Sequence, residues 1–417
     1  MYRRNRLNSK KEPFMDFNLT DDHHSVQQLC REFARKYVAP DIRDNDRAHR
    51  FDPHIIEKMA RADLLGLCLP EKYGGAGLDY IALGLACEEL EYADASARVV
   101  LSVHIGLNCL TLLAGGNQFQ KEKYLIPQCR GEKIATYGLT EPNAGSDVVA
   151  LQSTAVKQDD RYILNGEKMW ISLADVADHF LVFAWTDRDR KKARRHDGLS
   201  CFIVEKSYPG VTTGTIEGKL GVRAGNTGWI SMQDVEVPEE NRLGREGEGF
   251  AIAMFALEQG RYTVAAGSTG LIRASLDASV KYANERKTFG RPIADHQLVK
   301  QMIANMAAGY EYSRLLWLKA GWLKNAGHRS SRETSLAKWI ACREAEKAAS
   351  EAIQVHGAYG FSDEYAVERF LRNAKGASIY EGSREIQTLL QADYALGLRT
   401  DKPRAINLPG WPFGDDV

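Results

Sequence analysis

A chain of 417 residues, 44% hydrophobic and 26% charged, is too long for one core of ordinary size and predicts two or three packed units. Its 55 Lys plus Arg balance its 55 Asp plus Glu, which argues against a chain drawn as a whole to nucleic acid or to an anionic membrane. Seven cysteines, an odd number with no CxxC pair, suggest neither a disulfide framework nor a zinc site, and a reducing compartment is expected: the cytoplasm of a bacterium or archaeon, or the mitochondrial matrix of a eukaryote.

The chain opens on a basic stretch, Met1 to Pro13, without the apolar core of a secretory signal; Met15 reads as a natural start. No apolar run reads as long enough to span a bilayer. Thr20-Asp21 are expected to cap a helix with Val26, Leu29, Phe33, Ala34 and Tyr37 at helical spacing, ended by Pro40. Tyr73 to Gly77 reads as a loop. Beyond it, Ile81 to Leu90 and Val99 to Leu113 read as apolar helices, the second buried on most sides. Around Ile134 the period changes. Thr154 to Val156, Tyr162 to Leu164, His179 to Thr186, Leu199 to Val204 and Thr227 to Val237 read as strands, with turns at Asp159-Asp160, Asn165-Gly166 and Asp197-Gly198. Their spacing predicts an antiparallel sandwich or barrel. After Gly249 the helical period returns. Val264, Gly267, Leu271, Ala274, Ala278 and Tyr282 form one stripe whose small residues permit close packing, and Leu298 to Leu323 and Ser335 to Val355 are further long helices.

There is no GxGxxG after a strand, no GxxxxGKS/T, no HExxH and no GxSxG, so a nicotinamide Rossmann domain, a P-loop ATPase, a zinc protease and a serine hydrolase lose support. The ten histidines show no ligand spacing, and no metal is expected. His356, in Gln354-Val355-His356-Gly357, reads most simply as a histidine near a helix end.

Four segments carry candidate chemistry. Tyr137 to Asp147, with Leu139-Thr140-Glu141-Pro142 and Gly145-Ser146, runs from a strand-like start into small polar residues. Such a loop can aim backbone N–H and hydroxyl donors at an electron-rich ring or at phosphate oxygens; by itself it is equally a connection. Lys168-Met169-Trp170-Ile171-Ser172 offers an indole for stacking on a conjugated ring and a hydroxyl two residues on, pointing to the same side of a strand; alone, an ordinary core Trp reads better. Tyr282 to Ile293, with His296-Gln297, puts basic residues at a helix C-terminus ended by Gly290 and Pro292, which suits the helix dipole; its arginines are also shaped to clamp phosphate. In Ile379-Tyr380-Glu381-Gly382-Ser383-Arg384-Glu385, Ser383 can cap a following helix and Gly382 lets backbone approach a ligand. Glu381, just before that turn, can hang over a pocket; read alone it is more often a solvated carboxylate than a base.

Together and in this order the four segments resemble the acyl-CoA dehydrogenase family, in particular its short-chain and glutaryl-CoA dehydrogenase-like branches, over about Phe17 to Gly397. The resemblance implies an α+β, mostly α fold: an N-terminal α-helical domain (15–133), a middle β-barrel domain (134–242), a C-terminal four-helix bundle (243–398) and a tail (399–417). It implies FAD as cofactor, wrapped by Tyr137, Leu139, Thr140, Gly145 and Ser146, with Trp170, Ile171 and Ser172 against the isoalloxazine. Arg286, Phe289 and Gln297 match positions that reach the FAD of a neighbouring subunit. Gln354, Val355, His356, Gly357 and Gly360 match a diphosphate-contacting turn, and Ser383 and Glu385 match further FAD contacts.

The resemblance also implies a reaction, the α,β-dehydrogenation of an acyl-CoA to the 2-enoyl-CoA. Glu381 falls at the catalytic base; the alternative position of some relatives is Gly260 here, which has no side chain to serve. Glu258 and Arg261 match CoA-binding residues, Ser146 lies near the CoA arm, and Tyr380 and Gly382 flank the base at the substrate. The family holds the thioester oxygen with an FAD ribityl hydroxyl and the N–H of the base. Val99 to Leu113 is expected to line the acyl pocket. Glu91, Asp94 and Arg98 are similar to the glutaryl branch, where a Glu and an Arg handle a distal carboxylate, although Val99 stands where that branch tends to have Ser. A buried Arg98 needs an anion, supplied by a dicarboxylic acyl chain or by Glu91 or Asp94 as a structural link. Short, branched, alicyclic and dicarboxylic acyl groups all remain open. Electron-transferring flavoprotein is the expected acceptor: Leu64 and Leu78 resemble its docking pocket, while Ala76 and Gln233 depart from it. A homotetramer, a dimer of dimers, is expected, with no nucleic acid and no membrane insertion. The rivals are family members using oxygen, a flavin monooxygenase or a carrier-protein thioester, and, in another class, a non-catalytic scaffold of the same fold.

Overall fold

The computed structural model describes residues 18–401 and 406–414; Met1 to Pro13 and Met15 lie outside them. Helix α1, Asp21–Phe33, starts where the sequence places it. Thr20 Oγ1 accepts from the His23 N–H at 3.3 Å and His23 Nδ1 accepts from the Thr20 N–H at 3.1 Å, a reciprocal cap, and the helix buries Val26, Cys30 and Phe33. Helix α2, Tyr80–Ala93, is capped by Asp79. Helix α3, Ala95–Gly115, is continuous, with a π-helical middle at Ser102–Cys109. By length and composition it matches a bilayer-crossing helix, with mean hydropathy 1.6. That corrects the expectation that no run is long enough. Its apolar window is 94% buried inside the protein, so here it is a core helix.

Eight strands follow: β1 Ala135–Gly138, β2 Thr154–Gln158, β3 Arg161–Ser172, β4 His179–Trp185, β5 Leu199–Glu205, β6 Val211–Thr215, β7 Thr227–Pro238 and β8 Arg242–Leu243. They form one sheet in the order β6-β7-β3-β2-β4-β5-β8, with β1 beside β4. Pairing is mostly antiparallel, but β1 and β2 run parallel to β4, so the sheet is mixed. Strand β6, Val-Thr-Thr-Gly-Thr, shows no apolar alternation and was not expected. Asn165-Gly166 is not a turn. It lies inside β3, where the register to β7 shifts between Leu164 and Gly166. Gly166 has φ 148°, and an added Cβ would lie 2.2 Å from Ser153 Oγ, so the strand bends with Ser153 filling the space a side chain would take.

Helices α4 Gly249–Glu285, α5 Gln297–Asn325, α6 Ser331–His356, α7 Val367–Ala377 and α8 Arg384–Ala395 complete the chain. The small-residue stripe of α4 permits close approach as expected: a Cβ at Gly267 would lie 2.0 Å from Glu91 Oε2 on α2. All seven cysteines are buried free thiols.

Candidate active site

Helix α7 stops at Ala377 and α8 begins at Arg384, capped by Ser383. In the turn between them Glu381 has φ 55° and Gly382 φ 91°, a left-handed pair that disfavours any residue but Gly. Three successive carbonyls of the turn are held by side chains from other helices. Lys338 Nζ on α6 donates to the Tyr380 and Gly382 oxygens at 3.0 and 2.8 Å, and Arg261 Nε on α4 donates to the Glu381 oxygen at 3.2 Å. The turn sends the Glu381 carboxylate inward. Its Oε1 accepts from Ser102 Oγ on α3 at 3.2 Å, and its Oε2 is buried with no partner. A Cβ at Gly260 would lie 2.1 Å from that Oε2, so the glycine makes room for the carboxylate. Burial pushes the Glu381 carboxyl above its usual range, against the opposing pull of Arg98, Lys338, the Ser102 hydroxyl and Arg261. A carboxylate with one idle oxygen and a raised pKa is equipped to take a proton.

Beside it, Arg98 is fully buried. Its Nε donates to Glu91 Oε2 at 2.5 Å and its Nη2 to the Tyr380 hydroxyl at 2.6 Å. Glu91 Oε1 has no partner, and burial raises the Glu91 carboxyl despite Arg98. Asp94 faces elsewhere: it caps α3 at Ser96 and accepts from Arg369 and Asn373.

A second cluster surrounds the loop after β1. Lys168 Nζ, buried in β3, donates to Glu141 Oε1 and the Phe183 oxygen at 2.7 Å and to the Leu139 oxygen at 3.3 Å. Glu141 also accepts from the N–H and hydroxyl of Ser153. The Met169 N–H donates to the Thr140 oxygen at 2.9 Å. These bonds fix the loop against the strand that carries Trp170. At Trp170 the strand bulges: the register shifts between Met169 and Ile171 and φ is 61°. Alternation is therefore broken, and the expectation that Trp170 and Ser172 share a strand face by simple spacing does not hold. The bulge leaves the indole 57% exposed, while Ile171 is buried and Ser172 half-buried. The hydroxyls of Thr140, Ser146 and Ser172 bond to nothing among the described residues, and a Cβ at Gly145 would meet nothing within 4 Å. An open indole face, on a strand bonded to a loop that carries idle hydroxyls, fits a flat heteroaromatic group with polar edges, as an isoalloxazine is.

Helix α3 joins the two clusters. Ser102 reaches Glu381, and Asn108 Nδ2 donates to the Thr136 oxygen on β1 at 2.9 Å; Thr136 Oγ1 in turn donates to the Ser172 oxygen at 2.5 Å. Tyr137 is buried, and its hydroxyl donates to the Ala253 oxygen on α4 at 3.3 Å.

The other expected residues are placed as follows. Arg286, Phe289 and Gln297 are exposed, Phe289 to 96%. The turn after α6 packs beside Arg286: His356 is buried, stacked on Tyr282 at 4.2 Å, with Nδ1 2.7 Å from the Ala352 oxygen, and Arg286 lies over the Tyr359 ring. Gln354 is exposed and Val355 buried. Gly357 has φ 60°, and Gly360 sits against the Ile353 oxygen. Glu385 is exposed beside Arg384. Glu258 is buried, accepting from Ser331 Oγ at 2.6 Å. Burial lowers the Arg261 guanidinium to about 10. Leu64 is 0% exposed and so offers no docking surface, a correction: the residue closes the helical core instead. Leu78 is half-buried. Ser102, Lys338 and the Lys168–Glu141 pair were not assigned from sequence. For Ser102 and Lys338 the signal is a lone polar residue in an otherwise apolar stretch; Lys168 and Glu141 stand among other polar residues and carry no such mark.

The chain matches family models described as the N-terminal, middle and C-terminal domains of acyl-CoA dehydrogenase over residues 20–132, 136–235 and 247–396. It is 40% identical to a short-chain specific acyl-CoA dehydrogenase of Clostridium acetobutylicum, covering 90% of this chain and 98% of that one. The solved structure of butyryl-CoA dehydrogenase from Megasphaera elsdenii superposes with a TM-score of 0.89 at 38% identity, covering 92% of this chain and all of that one. A glutaryl-CoA dehydrogenase from Mycobacterium smegmatis, solved in complex with FADH2, gives 0.86 at 29% identity over 92% and 97% of the two chains.

Proposed function

Because the chain belongs to the acyl-CoA dehydrogenase family, whose members are FAD-dependent oxidoreductases acting on acyl-CoA, we propose that it dehydrogenates a short acyl-CoA between Cα and Cβ with Glu381 as the α-proton base. The observation that carries this reading is the buried, unpartnered Oε2 of Glu381. FAD, when bound, supplies the acceptor for the hydride that leaves Cβ. Trp170, Thr140, Ser146 and Ser172 would hold it, with Tyr137, Leu139 and Gly145 shaping the loop. Glu381 takes the proton from Cα, and the electron pair of that C–H bond becomes the Cα=Cβ bond of the enoyl thioester. An α-proton is too weakly acidic for a carboxylate in water. Burial raises the basicity of Glu381, and the Glu381 N–H stabilises the negative charge that develops on the thioester oxygen.

Ser102 orients the carboxylate, and Arg261 and Glu258 serve the CoA arm. Arg286, Phe289 and Gln297, with the Gln354 to Gly360 turn, complete the cofactor site of a neighbouring copy in a homotetramer, and electron-transferring flavoprotein reoxidises the enzyme. The acyl end meets α3. The Glu91–Arg98 pair is neutral as a unit, which favours a short uncharged acyl chain. A second reading, a dicarboxylic acyl group, is favoured by the raised Glu91 carboxyl: protonation there frees Arg98 for a distal carboxylate.

Anaerobic flavin bleaching by butyryl-, isobutyryl-, cyclohexanecarbonyl- and glutaryl-CoA tests both points. One of the four bleaches the wild type rapidly, and Glu381→Gln keeps FAD and ligand while slowing bleaching about 10²–10⁴-fold. Near-normal bleaching in that variant would refute the base.

A further inference from the structure

Lys338 carries no role in the reaction so far described, yet it is the buried cation nearest in bonding to the turn that bears the base. Its Nζ donates to the carbonyl oxygens on either side of Glu381, at 3.0 Å to Tyr380 and 2.8 Å to Gly382, and it comes from α6, an element separate in sequence from the turn. In a trans peptide the N–H and C=O of one unit point in opposite directions. Fixing the Tyr380 oxygen therefore fixes the Glu381 N–H to face away from Lys338. Among the described residues that N–H donates to no carbonyl or side chain, so the turn presents an oriented and idle donor next to an idle carboxylate oxygen. The left-handed φ of Glu381 is a strained conformation for a residue with a side chain and persists only where its surroundings hold it.

We propose that Lys338 is a positioning residue for the reaction: by clamping the Tyr380 and Gly382 carbonyls it sets at once the direction of the proton-accepting carboxylate and of the N–H that receives the thioester oxygen. This rests on Glu381 being the base. Arg261 and Gln387 hold the same turn, at the Glu381 and Gly382 oxygens, but neither touches the peptide that carries the Glu381 N–H. Only Lys338 does.

The test compares wild type, Lys338→Met, Lys338→Arg and Glu381→Gln by steady-state kinetics with the best acyl-CoA, by FAD content and by the pH dependence of kcat. Loss of a clamp on an oxyanion donor predicts a kcat about a hundredfold lower in Lys338→Met with KM changed less than about threefold, full FAD content, and recovery of at least about tenfold in Lys338→Arg, whose guanidinium can again donate to two carbonyls. The charged and titratable groups facing Glu381 are Arg98 from α3, Arg261 from α4, Lys338 from α6, Tyr137 from β1 and Cys87 from α2. Removing one of three cations moves the ascending limb of kcat to higher pH. Normal kcat in Lys338→Met beside an inactive Glu381→Gln overturns the positioning role and leaves the base intact. A turnover-competent Glu381→Gln overturns the base itself. If Lys338→Met fails to fold, Lys338→Gln decides, an uncharged side chain able to donate to one carbonyl: a kcat at least about tenfold lower at full FAD content supports the clamp, and wild-type kcat, or a loss confined to KM or FAD content, overturns it.

Discussion

Glu381 is costly where it stands. Its Oε2 has no hydrogen bond, and Ser102 alone bonds its Oε1 directly. Because burial raises this carboxyl, the native state keeps a proton that the unfolded chain has already released at the same pH. Stability therefore falls as pH rises from the ordinary carboxyl range through the raised native value, and above that value the loss is complete. Glu381→Gln removes the dependence. Its melting temperature should exceed that of wild type near pH 8, and the gap should close toward about pH 4, where both forms are neutral. Calorimetry across that range measures it. A gap that is the same at both ends means that the carboxylate is solvated in the native protein and unsuited to its role. Gly260 belongs to the same account: the sequence reading noticed it only as a missing base, whereas the structure uses its empty side as the space the carboxylate fills.

At the level of elements, the loop from Leu139 to Ser153 is held by one buried ion pair. Lys168 and Glu141 lie 2.7 Å apart, both side chains nearly inaccessible. Removing one partner strands the other charge. Lys168→Met should cost roughly 3–5 kcal/mol in urea unfolding, and a double change with Glu141→Gln should recover a good part of it; additive losses would show that the two do not act as a pair. Helices were readable here because their periodicity is set by burial of one face, as at Val26 and Phe33 on α1. Strand β6 was not, since Val211 to Thr215 is half exposed along its length and shows no alternation. Asn165-Gly166 misled for a related reason: turn chemistry and bulge chemistry draw on the same residues. The bulge at Trp170 likewise depends on pairing with β7, which local sequence does not encode. Lys338 was missed because its partners are backbone carbonyls more than forty positions away, and a carbonyl leaves no mark in a sequence.

Across the whole molecule the proposed site draws on Ser102 from the first helical region, Trp170 from the sheet and Gly260, Lys338 and Glu381 from the helical bundle. No single segment could carry it, which is why the four motifs were informative only in combination. The same scale explains the residues that face outward. Phe289 is 96% exposed, Phe361 89% and Leu298 70%, large apolar side chains that water disfavours; Arg286, near Phe289 in sequence, lies over Tyr359 of the turn that ends at Phe361. Exposed apolar groups near a basic side chain suit a contact with a second copy whose cofactor bears phosphate. Phe289→Asp should then lower both the assembly size by light scattering and the FAD retained per chain by absorbance, while the isolated fold keeps its helical signal. If Phe289→Asp remains the same size and equally yellow, those side chains serve neither the assembly nor the cofactor, and each copy must complete its flavin site alone.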